Sequence, residues 1–315
     1  MLEYQENLAE LAGKRVIDWN PEEGLQNVAE TIYRVRGGYG EEETWPERFA
    51  AFLQDPAVNE LTGLVVGMWS TEVMETGEAE AMVEALVAAR AKLPKLRALF
   101  LGDIIREENE VSWIAQTDVS PLLEAYPELD YFGVRGGSGL HFGDIRHRQL
   151  RSLVVEAGGL AREVVLDILR ADLPALEHLE LWLGSAQYGG NTTVEDLAPL
   201  LRNDLFPHLR YLGLRDSEIV DEIAAVMAYA PIVERIETLD LSLGTLTDTG
   251  AQALLQSPLI PGLKKLDLHH HYCSDAMIQR LWQLPIEVDV RDAQTPDVYD
   301  WDGREMVERY VALAE

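Results

Sequence analysis

The chain has little sulfur and little positive charge. A single cysteine, Cys273, excludes an intrachain disulfide. The cysteine-bonded caps common on secreted repeat proteins are therefore absent, and a reducing cytoplasm is the expected location. Lys and Arg total 26 against 55 Asp and Glu, for a net charge of −29. A surface that negative repels phosphate backbones and anionic lipid, so neither nucleic acid nor a membrane surface is an expected partner. It favours solubility, or a basic partner. No apolar run approaches the ~18 residues needed to cross a bilayer. The opening stretch MLEYQENLAELAGKR lacks the basic and apolar regions of a signal peptide. Apolar residues are plentiful, at 47% of 315, enough for a continuous core. The length suits two ordinary domains or one elongated repeat domain.

One phrase recurs along the chain: apolar-x-x-Leu-x-Leu, a polar turn, then an amphipathic helical stretch. It is clearest at IETLDLSLGTLTDTGAQALL, which starts at Ile236 and is followed 27 residues after its start by LKKLDLHHHYCSDAMIQRL. Aligning the central pairs gives Leu64/Val66, Leu99/Leu101, Phe132/Val134, Leu153/Val155, Leu179/Leu181, Leu212/Leu214, Leu239/Leu241, Leu266/Leu268 and Ile286/Val288. The steps are 35, 33, 21, 26, 33, 27, 27 and 20 residues. Such periods are those of leucine-rich repeats, the longer steps carrying insertions. Alternation within each phrase marks a strand with one buried face.

Helices are expected in Glu78–Leu93, Ala161–Arg170, Val220–Ala230 and Ser274–Leu284, with N-caps at Ser274 or Asp275 and at Asp248 or Thr249. A strand whose helix returns to a parallel neighbour puts strands on one layer and helices on the other. Parallel strands at ~4.8 Å backed by wider helices must curve. The expected fold is α/β: a leucine-rich-repeat solenoid, or horseshoe, with a concave parallel sheet, convex helices and about nine repeat strands. Residues 1–58 form its N-terminal cap, 59–292 the solenoid and 293–315 an acidic C-terminal cap or tail. In the first cap Lys14–Trp19 and Thr31–Gly38 suit strands and Trp45–Asp55 a helix, with Tyr33 and Val35 placed to pair the first repeat strand. In the tail a helix is expected from Gly303.

The stretch LTDTGAQALL (Leu246–Leu255) resembles the helix entry of ribonuclease-inhibitor-type leucine-rich repeats, and the likeness covers Leu61 to Arg291. LRALFLGDI, LEHLELWLG, LRYLGLRDSEI and LDLHHHY resemble a family of bacterial, notably actinobacterial, leucine-rich-repeat proteins. That resemblance implies an enzyme encoded nearby as a partner. Irregular repeat lengths and the lack of recurring cysteines depart from the ribonuclease inhibitors, so ribonuclease binding is not implied.

Residues flanking each Leu-x-Leu pair point outward. Down successive repeats the central column is Val65, Phe100, Gly133, Val154, Glu180, Gly213, Asp240, Asp267 and Glu287. The next is Gly67, Gly102, Arg135, Glu156, Trp182, Arg215, Ser242, His269 and Asp289. The first half is small or apolar and the second is charged. Asp240, Asp267 and Glu287 on consecutive strands would stand ~5 Å apart, needing neutralisation by Arg215, Lys265 and His269 or by a partner. Gly213 is expected to leave a recess between Glu180 and Asp240, ringed by Tyr211, Trp182 and Arg215.

The candidate binding residues are thus Glu180, Trp182, Tyr211, Arg215, Asp240, Asp267, His269 and Glu287, with Trp182 as an apolar anchor. The alternative is a solvated acidic face with internal ion pairs. Consecutive histidines at His269–His271 do not converge on one ion, and His271 suits a buried loop-bonding position. Cys273 lacks a His-plus-acid frame, and RGGSG at Arg135–Gly139 lacks the context of a phosphate loop.

The function expected is a non-catalytic, monomeric protein- or peptide-binding scaffold, with no catalytic residue, metal or cofactor. A metal-assisted enzyme or accessory subunit using Asp267, His269 and neighbouring carboxylates is the second reading. The third is a structural subunit docking through helices or the insertions at 102–121 and 184–194, which carry Trp113 and Tyr188.

Overall fold

The computed structural model of the chain describes residues 6–37, 44–70, 72–202 and 204–314. They form two compact units. The first runs to Glu156 and takes in Arg170–Leu176; the second is Ala157–Leu169 with Glu177–Ala314.

In the first unit the strands neighbour one another in chain order: β1 (Glu10–Leu11), β2 (Lys14–Asp18), β3 (Thr31–Val35), β4 (Gly63–Val66), β5 (Ala98–Leu101), β6 (Tyr131–Arg135) and β7 (Ser152–Glu156). Only β1 and β2 pair antiparallel; the rest are parallel. Parallel neighbours need crossovers, and α1 (Trp45–Phe52), α2 (Thr76–Ala88) and α3 (Ser120–Ala125) lie in three of them. The shortened stretch 136–151 carries turns and isolated bridges but no helix, as its length requires. The stretch expected as a cap continues the sheet in register, Tyr33 beside Leu64 and Val35 beside Val66. Gly38, the expected end of that strand, lies outside the described residues.

Leu64, Leu99, Phe132 and Leu153, one per strand, are fully buried on one sheet face. The opposite face is buried too. Val16, Ile32, Val65, Ala98 and Phe100 form a second cluster with Leu11, and Leu8 packs against it. Gly133 makes room for this layer, because a Cβ there would sit 2.3 Å from the Phe100 ring. Alternation placed Val65 and Phe100 on the outward face correctly, but the N-terminal segment covers them.

The second unit repeats the pattern with β8 (His178–Gly184), β9 (Tyr211–Ser217), β10 (Thr238–Asp240), β11 (Lys265–Asp267) and β12 (Glu287–Asp289), all parallel. Its helices are α4 (Arg162–Arg170), α5 (Ala198–Leu201), α6 (Val220–Met227), α7 (Asp248–Gln256) and α8 (Asp275–Leu281). Ser274 caps α8, accepting from the Met277 amide at 3.3 Å. Thr247, rather than Asp248 or Thr249, caps α7, because Asp221 accepts its amide and fixes it in place. One strand per repeat, a buried leucine column and a returning helix or turn make the fold leucine-rich-repeat-like.

Two expectations fail here. Val288, not Ile286, stands beside Leu266, so the last step is longer than the alignment gave and Glu287 neighbours Lys265. Beyond β12, Arg304–Glu308 is not helical: it is β14, paired antiparallel with β13 (Asp297–Trp301) in a separate exposed hairpin. The chain then returns over the strand ends. Asp216, Leu243 and His270 hold left-handed backbone at φ 53°, 68° and 58°. Each receives the returning segment: the Leu313 amide donates to Asp216, the Ala312 amide to the Leu243 carbonyl, and His270 Nε2 bonds the Tyr310 carbonyl. Among the described residues no helix is long and apolar enough to cross a membrane.

Candidate functional site

The site is the polar sheet face of the second unit. Register brings Glu180, Gly213, Asp240, Asp267 and Asp289 into one column across β8–β12. Five strands place four carboxylates close together, and the chain neutralises them itself.

Arg215 is the hub. Its Nη1 donates to Glu180 Oε1 at 2.6 Å, its Nε lies 3.4 Å from Asp240 Oδ2, and its guanidinium sits 4.9 Å over the Trp182 ring. Trp182 Nε1 donates to Glu180 at 2.7 Å, the Tyr211 hydroxyl to Asp240 at 2.6 Å, and the Ser242 amide to Asp240 at 2.9 Å. His178 stacks flat on Tyr211 at 3.9 Å and reaches Glu180 at 3.2 Å. Further along, Asp267 takes Lys265 at 2.9 Å and His269 Nδ1 at 2.6 Å. Asp289 takes Arg291 at 2.7 Å.

These contacts set the protonation states. Burial alone would raise the Glu180 carboxyl, but the Arg215 charge and the bonds from His178 and Trp182 outweigh it and hold the group well below the ordinary carboxylate range. Asp267 is likewise lowered, the bonds from His269 and Lys265 prevailing over burial. Burial, with the Glu180 and Asp240 charges beside it, pushes the Tyr211 phenol well above its usual value, so it stays a donor.

The residues expected to bind are thus together, with three corrections. Trp182 is not an exposed anchor: it is 4% exposed beneath Arg215. The Gly213 recess is filled, since a Cβ there would meet Tyr211 at 3.1 Å and Glu180 at 3.2 Å. Glu287 is exposed and outside the Asp240–Asp267 column, where Asp289 stands instead.

Asp267, His269 and Asp289 each offer a ligand atom within 4.8 Å of the others and, among the described residues, are the group able to hold a divalent ion. Lys265 and Arg291 already engage those carboxylates. His271 is fully buried, bonding the Val290 carbonyl and accepting from the Cys273 amide, as its position required. Burial, with Asp248 nearby, pushes the Cys273 thiol up to about 12, so no thiolate nucleophile forms at neutral pH. In the insertions Trp113 is 49% exposed, and Ala186–Tyr188 make one 3-10 turn.

The first unit holds a second ionic chain. Arg34 bridges Asp18 at 2.7 Å and Asp103 at 2.5 Å, and Arg135 pairs Glu156 at 2.7 Å with Asp103 at 3.6 Å. Asp103 also accepts the Leu8 amide at 3.1 Å, tying down the covering N-terminal segment. Arg34 stands outside the leucine phrase, and only pairing register brings it beside Val65.

No family model matches the chain, and no curated protein does. A protein from Bacteroides fragilis with a solved crystal structure is similar to it at 34% identity, covering 83% of this chain and 74% of that one with a TM-score of 0.77. An internalin from Listeria monocytogenes is 14% identical over 81% of this chain and 86% of its own, with a TM-score of 0.30.

Proposed function

We propose that this chain, which belongs to the same family as the Bacteroides fragilis protein, is a non-catalytic protein- or peptide-binding module. In this reading it is a monomer in the bacterial cytoplasm, built of ribonuclease-inhibitor-like repeats. The supporting observation is that the carboxylates of the second unit's polar face are already paired, Glu180 and Asp240 through Arg215 and Asp267 through Lys265 and His269. The side chains above them are therefore held before a partner arrives, and a preorganised surface loses less freedom on binding. The His178–Tyr211 stack, Lys265, His269 and Glu287 remain accessible, along with Arg215, Asp289 and Arg291. These offer donors, acceptors and ring faces across consecutive strands, which suits a peptide segment carrying both charges better than a purely basic one. An enzyme encoded nearby is one candidate partner.

The test is native co-purification of wild-type protein beside Lys265→Glu/His269→Ala/Glu287→Lys, with circular dichroism to verify folding. The expected result is a partner retained by the wild type and lost by the folded variant. The same proteins in both samples would overturn the reading. A second reading, a divalent ion at Asp267, His269 and Asp289, draws on the convergence of their ligand atoms. It requires zinc or manganese binding at micromolar or tighter affinity that His269→Ala abolishes.

A further inference from the structure

Exposed apolar surface is concentrated in one short stretch of this chain. Among the described residues ten large hydrophobic side chains are exposed, and six of them are Val298, Tyr299, Trp301, Met306, Val307 and Tyr310. All but Tyr310 belong to the hairpin of β13 and β14.

The turn of this hairpin is set by its sequence. Asp302 and Gly303 both hold left-handed backbone, at φ 54° and 77°, as a two-residue hairpin loop requires. The register that follows pairs Asp297 with Glu308, Val298 with Val307, Tyr299 with Met306, Asp300 with Glu305 and Trp301 with Arg304. Alternation sends Tyr299, Trp301 and Met306 to one face and Val298 and Val307 to the other. Both faces are open to solvent, Trp301 being 70% exposed on the first and Val298 59% on the second. Among the described residues neither strand has a ladder partner besides the other, and every residue of β13 is exposed. A two-stranded sheet without a covered face is marginal, and a third strand stabilises it.

Charge specifies that strand. Two of the five rows set acid directly against acid, Asp297 against Glu308 and Asp300 against Glu305. Like charges opposed in this way weaken a ladder. The Tyr299 and Tyr310 hydroxyls donate to Glu308 and hold its carboxyl below the ordinary value, so that row stays anionic. Among the described residues no cation pairs with Asp297, Asp300 or Glu305. A second copy of the chain is a poor third strand, because it brings the same acids to the edge and a net charge of −29. Along β13 the order is acid, Val, Tyr, acid at 297–300. Its complement is basic, apolar, apolar, basic, which reads the same in either strand direction.

We propose that the edge of β13 accepts an extended segment of a partner protein in which two basic residues flank two apolar ones. Lys or Arg of that segment lies beside Asp297 and Asp300, and its apolar pair beside Val298 and Tyr299, with main-chain bonds along the edge. The added strand completes a three-stranded sheet and gives each acid row a cation. This surface is separate from the polar face of β8–β12, and either assignment can fail without the other.

Fluorescence anisotropy of a labelled, end-blocked peptide TKVVKT titrated with the full chain tests it. The expected result is saturable binding. Three peptides should bind at least tenfold more weakly: TEVVET, with the charge reversed; TKSSKT, without the apolar pair; and TVKKVT, which keeps the composition but cannot set both lysines beside acids. N-methylation of both valine amides should cost as much, because one of two adjacent amides in an added strand faces β13. Asp297→Asn/Asp300→Asn should weaken TKVVKT at least tenfold. That variant relieves both like-charge rows, and asparagine still accepts the Gly303 amide that Asp300 bonds at 2.9 Å, so the hairpin is expected to persist. Glu195→Gln/Glu234→Gln removes as much charge from exposed positions outside the hairpin and should leave binding unchanged. Lys265→Glu/His269→Ala/Glu287→Lys should leave it unchanged too, which separates this edge from the polar face. No saturable binding of TKVVKT, equal binding of TVKKVT or of the methylated peptide, or undiminished binding by the asparagine variant would overturn the proposal.

Discussion

The residues between the leucines are buried in both units, by opposite means. In the first unit Val65 and Phe100 are apolar, and the N-terminal segment with Leu8 and Leu11 lies over them. In the second unit the equivalent residues Glu180, Asp240 and Asp267 are charged, and they are buried by pairing with Arg215, Lys265 and their neighbours. An apolar layer is non-directional and tolerates small adjustments. A buried ionic layer is stable only while every member keeps its partner. The first face is closed by extra chain and the second by its own side chains, which leaves the second free to meet something else.

The largest effect expected from breaking this contrast is at Arg215. Arg215→Ala would leave Glu180 and Asp240 buried beside each other without a cation, at a cost of about 3–5 kcal/mol in urea unfolding. Glu180→Gln/Asp240→Asn/Arg215→Met should recover most of that loss, since removing the three charges together strands none of them. No recovery would mean that the network has a role beyond neutrality. On the apolar side, Leu11→Ala should cost about 2 kcal/mol by the same measurement, the lower end for a buried leucine because its strand is at the sheet edge. A loss below about 0.5 kcal/mol, typical of surface sites, would show that the segment does not act as a cover.

The smallest effect concerns the returning C-terminal segment. His270, which bonds the Tyr310 carbonyl, has its pKa lowered by burial, which outweighs the bond itself and Asp292. A histidine lowered in the folded state contributes stability that is present above its unfolded value of about 6.5 and lost as pH falls through the folded value. The protection factors of the Val311–Leu313 amides, their exchange rates divided into the intrinsic rates at each pH, should therefore fall as pH drops below about 6.5. His270→Gln should flatten that dependence; an unchanged profile would assign it to another group.

Much of this was legible in the sequence. Leucine columns recur with period two inside each phrase, so the buried face and, within each unit, the neighbour order up to Leu266 followed from spacing alone. The last register did not, because Ile286 and Val288 satisfy the phrase as well as Val288 and Val290, and only pairing with Leu266 decides between them. Trp182 was assigned to the right face and the wrong exposure. Alternation says where a side chain points; it does not say that an arginine from the next repeat will lie over it. Arg34 and Asp103 lie 69 residues apart, and no local pattern joins them. The tail misled for a related reason: a hairpin exposing Trp301 at 70% lacks the one-sided apolar pattern that marks a strand.

The left-handed positions Asp216, Leu243 and His270 have a consequence for how the molecule comes apart. Stacked repeats ordinarily fray from an end, one module at a time, because each touches only its neighbours. Here the Tyr310–Leu313 segment is fastened to three successive modules at once. Peeling away the outermost of these three modules strains the segment's attachments to the other two, so they melt as a block rather than a module at a time.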